Sequence, residues 1–168
     1  MDNDIPLCTL VERGGIFYEV AGNSVDTMMA EFIRSLPGPF FPAGDRRRDQ
    51  EFRAALLNAV LEREALMPTT IGRGIALPHP RSPMAADEKT QFVAVGFPAL
   101  PIEWKALDGK PVHSVMLIVS ASSKFHLRTL SKLNFLCMDE RFLSLLRDRA
   151  PSALIIQTIR EVEQGWKQ

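Results

Sequence analysis

Residues 112–119 form a nearly unbroken apolar run that is rich in β-branched residues. Such a run is typical of a strand that is buried on both faces of its sheet. A sheet covered on both sides needs helices above and below it, and helical patterns alternate with strand patterns along the rest of the chain. The fold class that follows is α/β, in a single domain over residues 1–168 with helices on both sheet faces.

The apolar spacing predicts six helices and five strands. The predicted helices cover residues 5–12, 25–36, 46–67, 124–138, 140–149 and 152–163. The predicted strands cover residues 16–20, 75–77, 91–97, 102–104 and 112–119. A Pro/Gly/Phe loop is expected at 37–44 and a small-residue loop at 69–74. In the helix over 124–138 the predicted apolar face is formed by Leu127, Leu130, Leu133 and Leu136.

The charge balance and the cysteines exclude several function classes. The chain has 20 Lys and Arg against 20 Asp and Glu, a formal net charge of zero at pH 7, so nothing draws it to nucleic acid or to anionic lipid. Cys8 and Cys137 stand outside any CxxC or CxxH spacing, so we expect neither a zinc site nor a disulfide framework. No apolar run is long enough to span a membrane and the N-terminus does not resemble a secretory signal, so we expect a cytoplasmic protein.

The three histidines occupy different places in the predicted sheet. His79 follows a strand, and His126 lies just beyond the run at 112–119, in the first turn of the next helix. Ligand sites of α/β sheets gather at the carboxyl ends of strands. His113 lies near the start of its strand, about 20 Å from the opposite end at roughly 3.3 Å per residue. We therefore expect His79 and His126 to share a site, and His113 to have no role in it.

Phosphate chemistry suits the surroundings of these two histidines. A helix N-terminus attracts anions and keeps an imidazole such as His126 neutral. The loop before His79 contributes Thr69, Thr70, Gly72 and Gly74, whose backbone N–H groups can approach phosphate oxygens. These features favour an imidazole nucleophile that accepts a phosphoryl group, a reaction that depends mainly on positioning and charge stabilisation.

The stretch from Arg63 to His79, REALMPTTIGRGIALPH, closely resembles the active-site signature of the enzyme IIA proteins of the phosphoenolpyruvate-dependent phosphotransferase system. The resemblance is to the fructose/mannitol type, which includes the nitrogen-regulatory IIA proteins. The segments Asp108–Val112, His126–Leu127 and Leu130–Phe142 also resemble the family. The likeness covers nearly the whole chain and is weakest over 37–50.

The resemblance implies a mixed sheet of about five strands between helical layers, and it implies roles for single residues. His79 would be phosphorylated on Nε2, and His126 would hydrogen-bond the phosphoryl group. Arg63 matches the family's active-site arginine, and its planar guanidinium suits a phosphate or an acidic partner. The sequence departs from the family at Thr70, where glycine is usual and where we expect a stiffer loop, and at Pro80, where a small residue is common.

The resemblance also implies a relay between proteins, with no cofactor or metal. Phospho-HPr would donate to His79, which would pass the phosphoryl group to a cysteine of a IIB domain. Such a partner would dock through a small transient interface. Phe40, Phe41 and Met67 are candidates for that face, although burial in the core is the expected fate of each.

Two readings of the function stay open at this level. The first is a phosphocarrier for sugar transport. The second is a regulatory protein of the nitrogen-regulatory type, in which His79 phosphorylation switches protein partners. We expect no IIB or IIC domain to be attached, which somewhat favours the second reading. A histidine-based metal site is a poor third, because only two histidines converge and no third ligand has a fixed spacing.

Overall fold

The computed structural model describes residues 4–38, 40 and 45–166. Its helices are α1 Leu7–Gly14, α2 Val25–Ser35, α3 Arg46–Leu66, α4 Ser123–Leu136, α5 Glu140–Arg147 and α6 Ser152–Gly165. Its strands are β1 Ile16–Val20, β2 Thr70–Gly72, β3 Ile75–Ala76, β4 Phe92–Pro98 and β5 Ser114–Val119. The strands form one five-stranded sheet in the order β1-β4-β5-β3-β2. Part of the predicted loop at 37–44, namely residues 39 and 41–44, lies outside the described residues.

The sheet is mixed and is covered on both faces, as predicted. The pairs β1–β4 and β3–β5 are parallel, whereas β4–β5 and β2–β3 are antiparallel. Alternate residues of the central strands enter two separate apolar clusters. Val93 and Met116 pack with α1, α4, α5 and α6 on one face. Ala94 and Val115 pack with α2 and α3 on the other face. The α/β fold class is therefore confirmed.

Two elements differ from the prediction. The predicted strand over 102–104 is wrong: only an isolated bridge joins Ile102 to Val112. Only Ile102 finds a partner in the sheet, and the backbone turns at Lys105, where φ is 55°, so the segment builds no ladder of its own. The predicted loop at 69–74 contains β2, in which Thr70 pairs with Ala76 across a tight hairpin.

Side-chain acceptors satisfy the N-terminal N–H groups of two helices. Ser24 accepts a hydrogen bond from Thr27 N and forms a capping box at the start of α2. Pro6 provides no side-chain cap for α1. Instead, the buried carboxylate of Glu163 in α6 accepts hydrogen bonds from Leu7 N and Cys8 N at 2.7 and 3.2 Å. None of the helices in the described part of the chain is long and apolar enough to cross a membrane.

The pairing of β3 with β5 decides which residues share an end of the sheet. Ile75 lies opposite Ser114, and further along Ile118 N donates to Pro78 O at 3.0 Å. His79 therefore follows β3 at the edge where β5 ends, and α4 begins there at Ser123. Gly74 and His113 come just before the two strands and lie at the opposite edge.

Candidate active site

His79 is held by the carbonyl group of its own strand extension. Its ring is buried, with 8% of its surface exposed, and its Nδ1 lies 2.8 Å from Leu77 O. Because a carbonyl oxygen only accepts, Nδ1 carries the proton and donates it. Nε2 then keeps its lone pair. Burial is the main cause that lowers the pKa of His79, and Arg63 lowers it further, so the ring is neutral at pH 7.

His126 lies beside His79 at the start of α4. The two ring centroids are 4.6 Å apart, at an interplanar angle of 45°. Ser122 caps the helix by accepting a hydrogen bond from Phe125 N at 3.3 Å, which fixes the turn that carries His126. Burial is the largest cause that lowers the pKa of His126 to about 4, and the neighbouring His79 and Arg63 also oppose its protonation. The site therefore holds two neutral imidazoles in van der Waals reach of each other.

Arg63 supplies positive charge to this pair from the last turn of α3. Its Nη1 donates to Met67 O at 2.9 Å across the end of the helix. The charge of Arg63 lowers the pKa of both histidines. A guanidinium that acts on both rings can also stabilise the negative oxygens of a phosphoryl group held there. The arrangement suits an acceptor of a phosphoryl group.

Glu64 is a site residue that the sequence reasoning missed. Its carboxylate accepts from the indole Nε1 of Trp104 at 3.1 Å and from Thr69 N at 3.1 Å, and it also accepts from Thr69 Oγ1. These bonds tie the end of α3 to the start of the β2–β3 hairpin, which leads to His79. A buried indole N–H needs an acceptor, so Trp104 in the sequence was a signal that a nearby acid would bind it.

The four predicted loop residues do not lie together. Thr69 is buried beside Glu64, and its carbonyl accepts from Leu77 N at 3.0 Å, which places Thr69 next to the strand extension that holds His79. Thr70 occupies the first position of β2, a strand position in which its side chain causes no backbone conflict. Gly72 and Gly74 form the hairpin turn with φ of 81° and 76°.

The two glycines lie at the other edge of the sheet. A Cβ on Gly74 would come within 2.4 Å of the His113 ring. Five residue steps lead from Gly74 to His79, about 16 Å at roughly 3.3 Å per residue. The structure therefore places Gly72 and Gly74 away from the histidine pair, because the hairpin turns at the end where β3 begins. The expectation that their N–H groups face the phosphoryl group has no support in this geometry.

Exposed apolar side chains surround the histidine pair. Leu127, expected on the buried face of α4, is 65% exposed because it lies in the first turn beside His126. Leu66 and Met67 at the end of α3 are 68% and 63% exposed, so the expected burial of Met67 is wrong. Phe40 is half-buried and stacks on Phe92. Phe41 lies outside the described residues.

Two surface cavities flank the site. One, of about 220 Å³, is lined by residues that include Arg81, His126 and Leu127. The other, of about 390 Å³, includes Arg63, Leu66 and Arg81 among its lining. Arg81 forms no hydrogen bond or ion pair with the described part of the chain. Within the described residues, no three His, Cys, Asp or Glu side chains come close enough together to hold a metal ion.

The region that contains His79 and the helices on either side of it matches a known protein family. The sequence model of the family "Phosphoenolpyruvate-dependent sugar phosphotransferase system, EIIA 2" matches residues 47–162. The chain belongs to this family. The match contains Arg63, His79 and His126, and all of β2 to β5. The resemblance inferred from the signature at 63–79 is thereby confirmed.

Relatives of this EIIA chain include both transport and regulatory proteins. It is 32% identical over 111 residues to the "PTS system fructose-specific EIIABC component" of Bacillus subtilis, across 65% of this chain and 17% of that protein. It is 31% identical over 97 residues to the "Nitrogen regulatory protein" of Bradyrhizobium diazoefficiens, across 55% of this chain and 60% of that protein. The chain thus spans less than two thirds of either relative.

Solved structures share the fold. Nitrogen regulatory protein IIA-Ntr from Neisseria meningitidis matches with a TM-score of 0.70 at 20% identity, over 90% of this chain and 97% of that chain. The mannitol IIA of Escherichia coli, solved in complex with phosphorylated enzyme IIB, matches with a TM-score of 0.62 at 14% identity, over 87% of this chain and 94% of that chain. At these identities the likeness establishes the fold of an EIIA domain.

Proposed function

We propose that this EIIA protein is a cytoplasmic phosphocarrier whose His79 accepts a phosphoryl group from phospho-HPr and passes it to a cysteine of a IIB domain. The observation that carries the proposal is the hydrogen bond from His79 Nδ1 to Leu77 O at 2.8 Å. It fixes the tautomer and leaves the Nε2 lone pair as the nucleophile. A family match without that geometry would not say which nitrogen reacts.

The transfer conserves the phosphorus–nitrogen bond type. Nε2 of His79 attacks the phosphorus of phospho-HPr, the P–N bond of the donor breaks, and a new P–Nε2 bond forms. The leaving imidazole of HPr takes the electron pair of the broken bond. Arg63 and a hydrogen bond from the neutral His126 stabilise the phosphoryl oxygens. In the second step a IIB thiolate attacks the same phosphorus and Nε2 recovers its lone pair.

The face around His79 fits a protein partner. The exposed side chains of Leu66, Met67 and Leu127 surround the site, and the guanidinium of Arg81 stands between the two cavities. Interface centres are typically apolar, with arginine enriched and acidic residues depleted. One solved relative with this fold is a complex of a mannitol IIA with phosphorylated IIB, which supports docking of a IIB domain here.

The test is phosphorylation in a reconstituted relay of phosphoenolpyruvate, enzyme I and HPr. We expect labelled phosphate to appear on the wild-type chain and to be lost in acid, because a phosphoramidate is acid-labile. His79→Ala should remove the label. A His79→Ala chain that labels fully would show that another residue is the acceptor and would overturn the site. His126→Ala should slow transfer with the fold intact by circular dichroism, and an unchanged rate would remove His126 from the site.

A regulatory role is the second candidate, and the similarity to the nitrogen regulatory protein of Bradyrhizobium favours it. In that case the phosphorylation state of His79 would switch protein partners without sugar transport. Offering the phosphorylated chain to purified candidate IIB domains separates the two roles. Transfer to a IIB cysteine supports the carrier. Stable phospho-protein with every IIB domain, together with a partner bound in only one phosphorylation state, supports regulation.

A further inference from the structure

A second charged cavity lies at the edge of the sheet opposite to His79. Its volume is about 430 Å³. The residues that line it are Arg73, Gly74, Lys110, Pro111, His113, Glu140 and Arg147. Three of these carry a positive charge and one a negative charge, so the lining has a net charge of about +2 on a chain whose formal net charge is zero. The proposed phosphoryl relay makes no use of this concentration of charge.

Intramolecular contacts leave two of the three cations available. Arg73 Nη1 pairs with Glu140 Oε1 at 3.0 Å, which neutralises the one carboxylate in the lining. Lys110 and Arg147 form no hydrogen bond or ion pair through their side chains to any described residue. Asp108 accepts hydrogen bonds from Arg73 N at 3.0 Å and from Lys110 N at 3.1 Å, and these bonds and the charge of Lys110 lower the pKa of Asp108, so Arg147 is the least compensated of the cations. The remaining charge therefore faces the cavity and the solvent.

The floor of the cavity is rigid. His113 Nε2 donates to Arg73 O at 3.1 Å, and Nδ1 accepts from Ser114 Oγ at 2.8 Å. The ring packs against Gly74, where a Cβ would approach to 2.4 Å. Arg73 projects from this hairpin, Lys110 from the loop before Val112, and Arg147 from α5, so the backbone that carries the cations is in place before a ligand binds.

The distribution of the charges sets the charge of the ligand. Glu140 with its partner Arg73 lies at the first turn of α5, where the two charges offset each other. Arg147 lies at the last turn, about 10 Å along the helix at roughly 1.5 Å per residue. The net charge of about +2 in the lining is matched by a molecule with two negative charges. Guanidinium groups bind phosphate and carboxylate oxygens in paired hydrogen bonds.

We propose that this cavity is a binding site for a compact organic dianion, with Lys110 and Arg147 as its principal contacts. The two sources of that chemistry are a phosphate ester and a dicarboxylate. The site does not depend on the phosphoryl relay at His79, since the cavity is built from other residues at the other edge of the sheet.

The test is a titration of the full chain with inorganic phosphate and, separately, with succinate, followed by backbone amide signals of residues 73, 74, 113 and 114 in NMR spectra. We expect dissociation constants of about 1 mM or tighter, weakening as salt is added. Binding of phosphate alone would indicate a phosphate ester, and binding of succinate alone a dicarboxylate; either supports the site. If the signals of these residues shift with neither anion, the proposal is overturned.

Charge variants locate the binding. Lys110→Ala and Arg147→Ala should each weaken it about fivefold to tenfold, and both side chains are exposed, so the variants should fold. Glu140→Gln should tighten it several-fold, because the substitution removes the competing carboxylate from Arg73. Arg34→Ala is the matched control, a distant arginine paired with Glu31, and it should change nothing.

The histidine pair is itself a possible anion site, so Arg63→Ala serves as a second control. The titration of residues 73, 74, 113 and 114 should be the same in Arg63→Ala as in the wild type. Equal binding by Lys110→Ala, Arg147→Ala and the wild type would overturn the proposal. So would loss of these shifts in Arg63→Ala alone.

Discussion

His79 and His113 are shielded imidazoles at opposite edges of the same pair of strands, and burial is the main cause that lowers the pKa of each. They differ in the second ring nitrogen. His113 uses both nitrogens, one toward Arg73 O and one toward Ser114 Oγ. His79 uses only Nδ1. The comparison teaches that the hydrogen bonds of the ring, more than its burial, decide whether a buried histidine keeps a lone pair for chemistry.

The largest expected effect is the difference in phosphorylation rate between His79→Ala and His113→Ala. His79→Ala should lower the labelling rate by about 10³-fold or more, since the nucleophile is lost. His113→Ala should stay within about twofold of the wild type, because His113 lies at the far edge of the sheet. A rapid-quench assay with phospho-HPr measures both rates. A comparable loss in His113→Ala would break the comparison.

The nitrogen that reacts is open to direct measurement in the same material. Because Nδ1 of His79 donates to Leu77 O, the phosphorus should be attached to Nε2, and heteronuclear NMR of the phosphorylated chain distinguishes the two attachments. Phosphorus on Nδ1 would mean that the hydrogen bond to Leu77 O breaks during transfer. That outcome would contradict the tautomer argument while leaving His79 as the acceptor.

Next in size is the packing of His113 against the hairpin. Gly74→Ala should destabilise the fold by about 2 to 4 kcal/mol, because φ is +76° and the new Cβ would meet the His113 ring. Gly109→Ala is the matched control: φ is +68°, but nothing lies within 4 Å of the new Cβ, so only about 1 kcal/mol of strain is expected.

Urea denaturation measures both variants, and their difference isolates the contact with His113. Adding His113→Ala to Gly74→Ala should recover part of the lost stability. Equal losses in the two glycine variants, without recovery, would show that the His113 ring is not held against the hairpin. The proposed structural role of His113 would then fail.

Glu64 offers a smaller effect on the reactive side. Glu64→Gln replaces one acceptor oxygen by an amide group, so the bonds from Thr69 and Trp104 can no longer all be kept. We expect the phosphorylation rate to fall about tenfold, roughly 1.4 kcal/mol of transition-state free energy. Glu51→Gln, on the same helix but paired with Arg47 at the surface, is the matched control and should react normally.

A second readout separates positioning by Glu64 from general destabilisation. The carboxylate of Glu64 raises the pKa of His79 against the larger effect of burial. Its removal should therefore lower the pKa of His79 further, which a titration of the ring by NMR records. A slower rate with an unchanged His79 titration would mean that Glu64 only supports the fold.

The sequence was sufficient for the features that depend on local pattern. The apolar run at 112–119 predicted a doubly covered central strand, and the motif ending at Pro78-His79 predicted the histidine at a strand end. The prediction for 102–104 failed because only Ile102 finds a partner, Val112, and pairing across the sheet cannot be read from local apolar spacing. The strand β2 was missed because its three residues are stabilised by pairing with β3, not by their own composition.

The position of the histidine pair was predictable in the same way. His79 and His126 come together as the spacing predicts, since each stands at the end of a regular element. The roles that the resemblance implies for them and for Arg63 stay predictions. Gly72 and Gly74 were assigned to the phosphoryl group because their composition resembles a phosphate-binding loop, whereas the hairpin turns them to the other edge. Glu64 was missed because its partners, Thr69 and Trp104, meet it only through tertiary packing.

The effect that is smallest at neutral pH is a pH dependence of stability that belongs mostly to His126. Its pKa is lowered to about 4 in the folded chain, from an ordinary value near 6.5. Between these values the unfolded chain binds more protons than the folded chain, so the free energy of unfolding should fall as the pH falls from about 6.5 to about 4. His126→Gln removes this contribution and should flatten the dependence.

His113→Gln is the control for that slope, because the pKa of His113 is also lowered by burial but its ring lies outside the reactive pair. Urea denaturation of the wild type and both variants at several pH values above about 5 stays outside the range in which carboxylates with lowered pKa contribute to the slope. The slope should flatten more in His126→Gln than in His113→Gln. The hydrogen bond to Arg73 O opposes the effect of burial and of Arg147 and Arg149 on the pKa of His113, whereas His79 and Arg63 both add to the effect of burial on His126. Equal slopes in the two variants would show that their surroundings shift the two pKa values alike, and the electrostatic half of the comparison would fail.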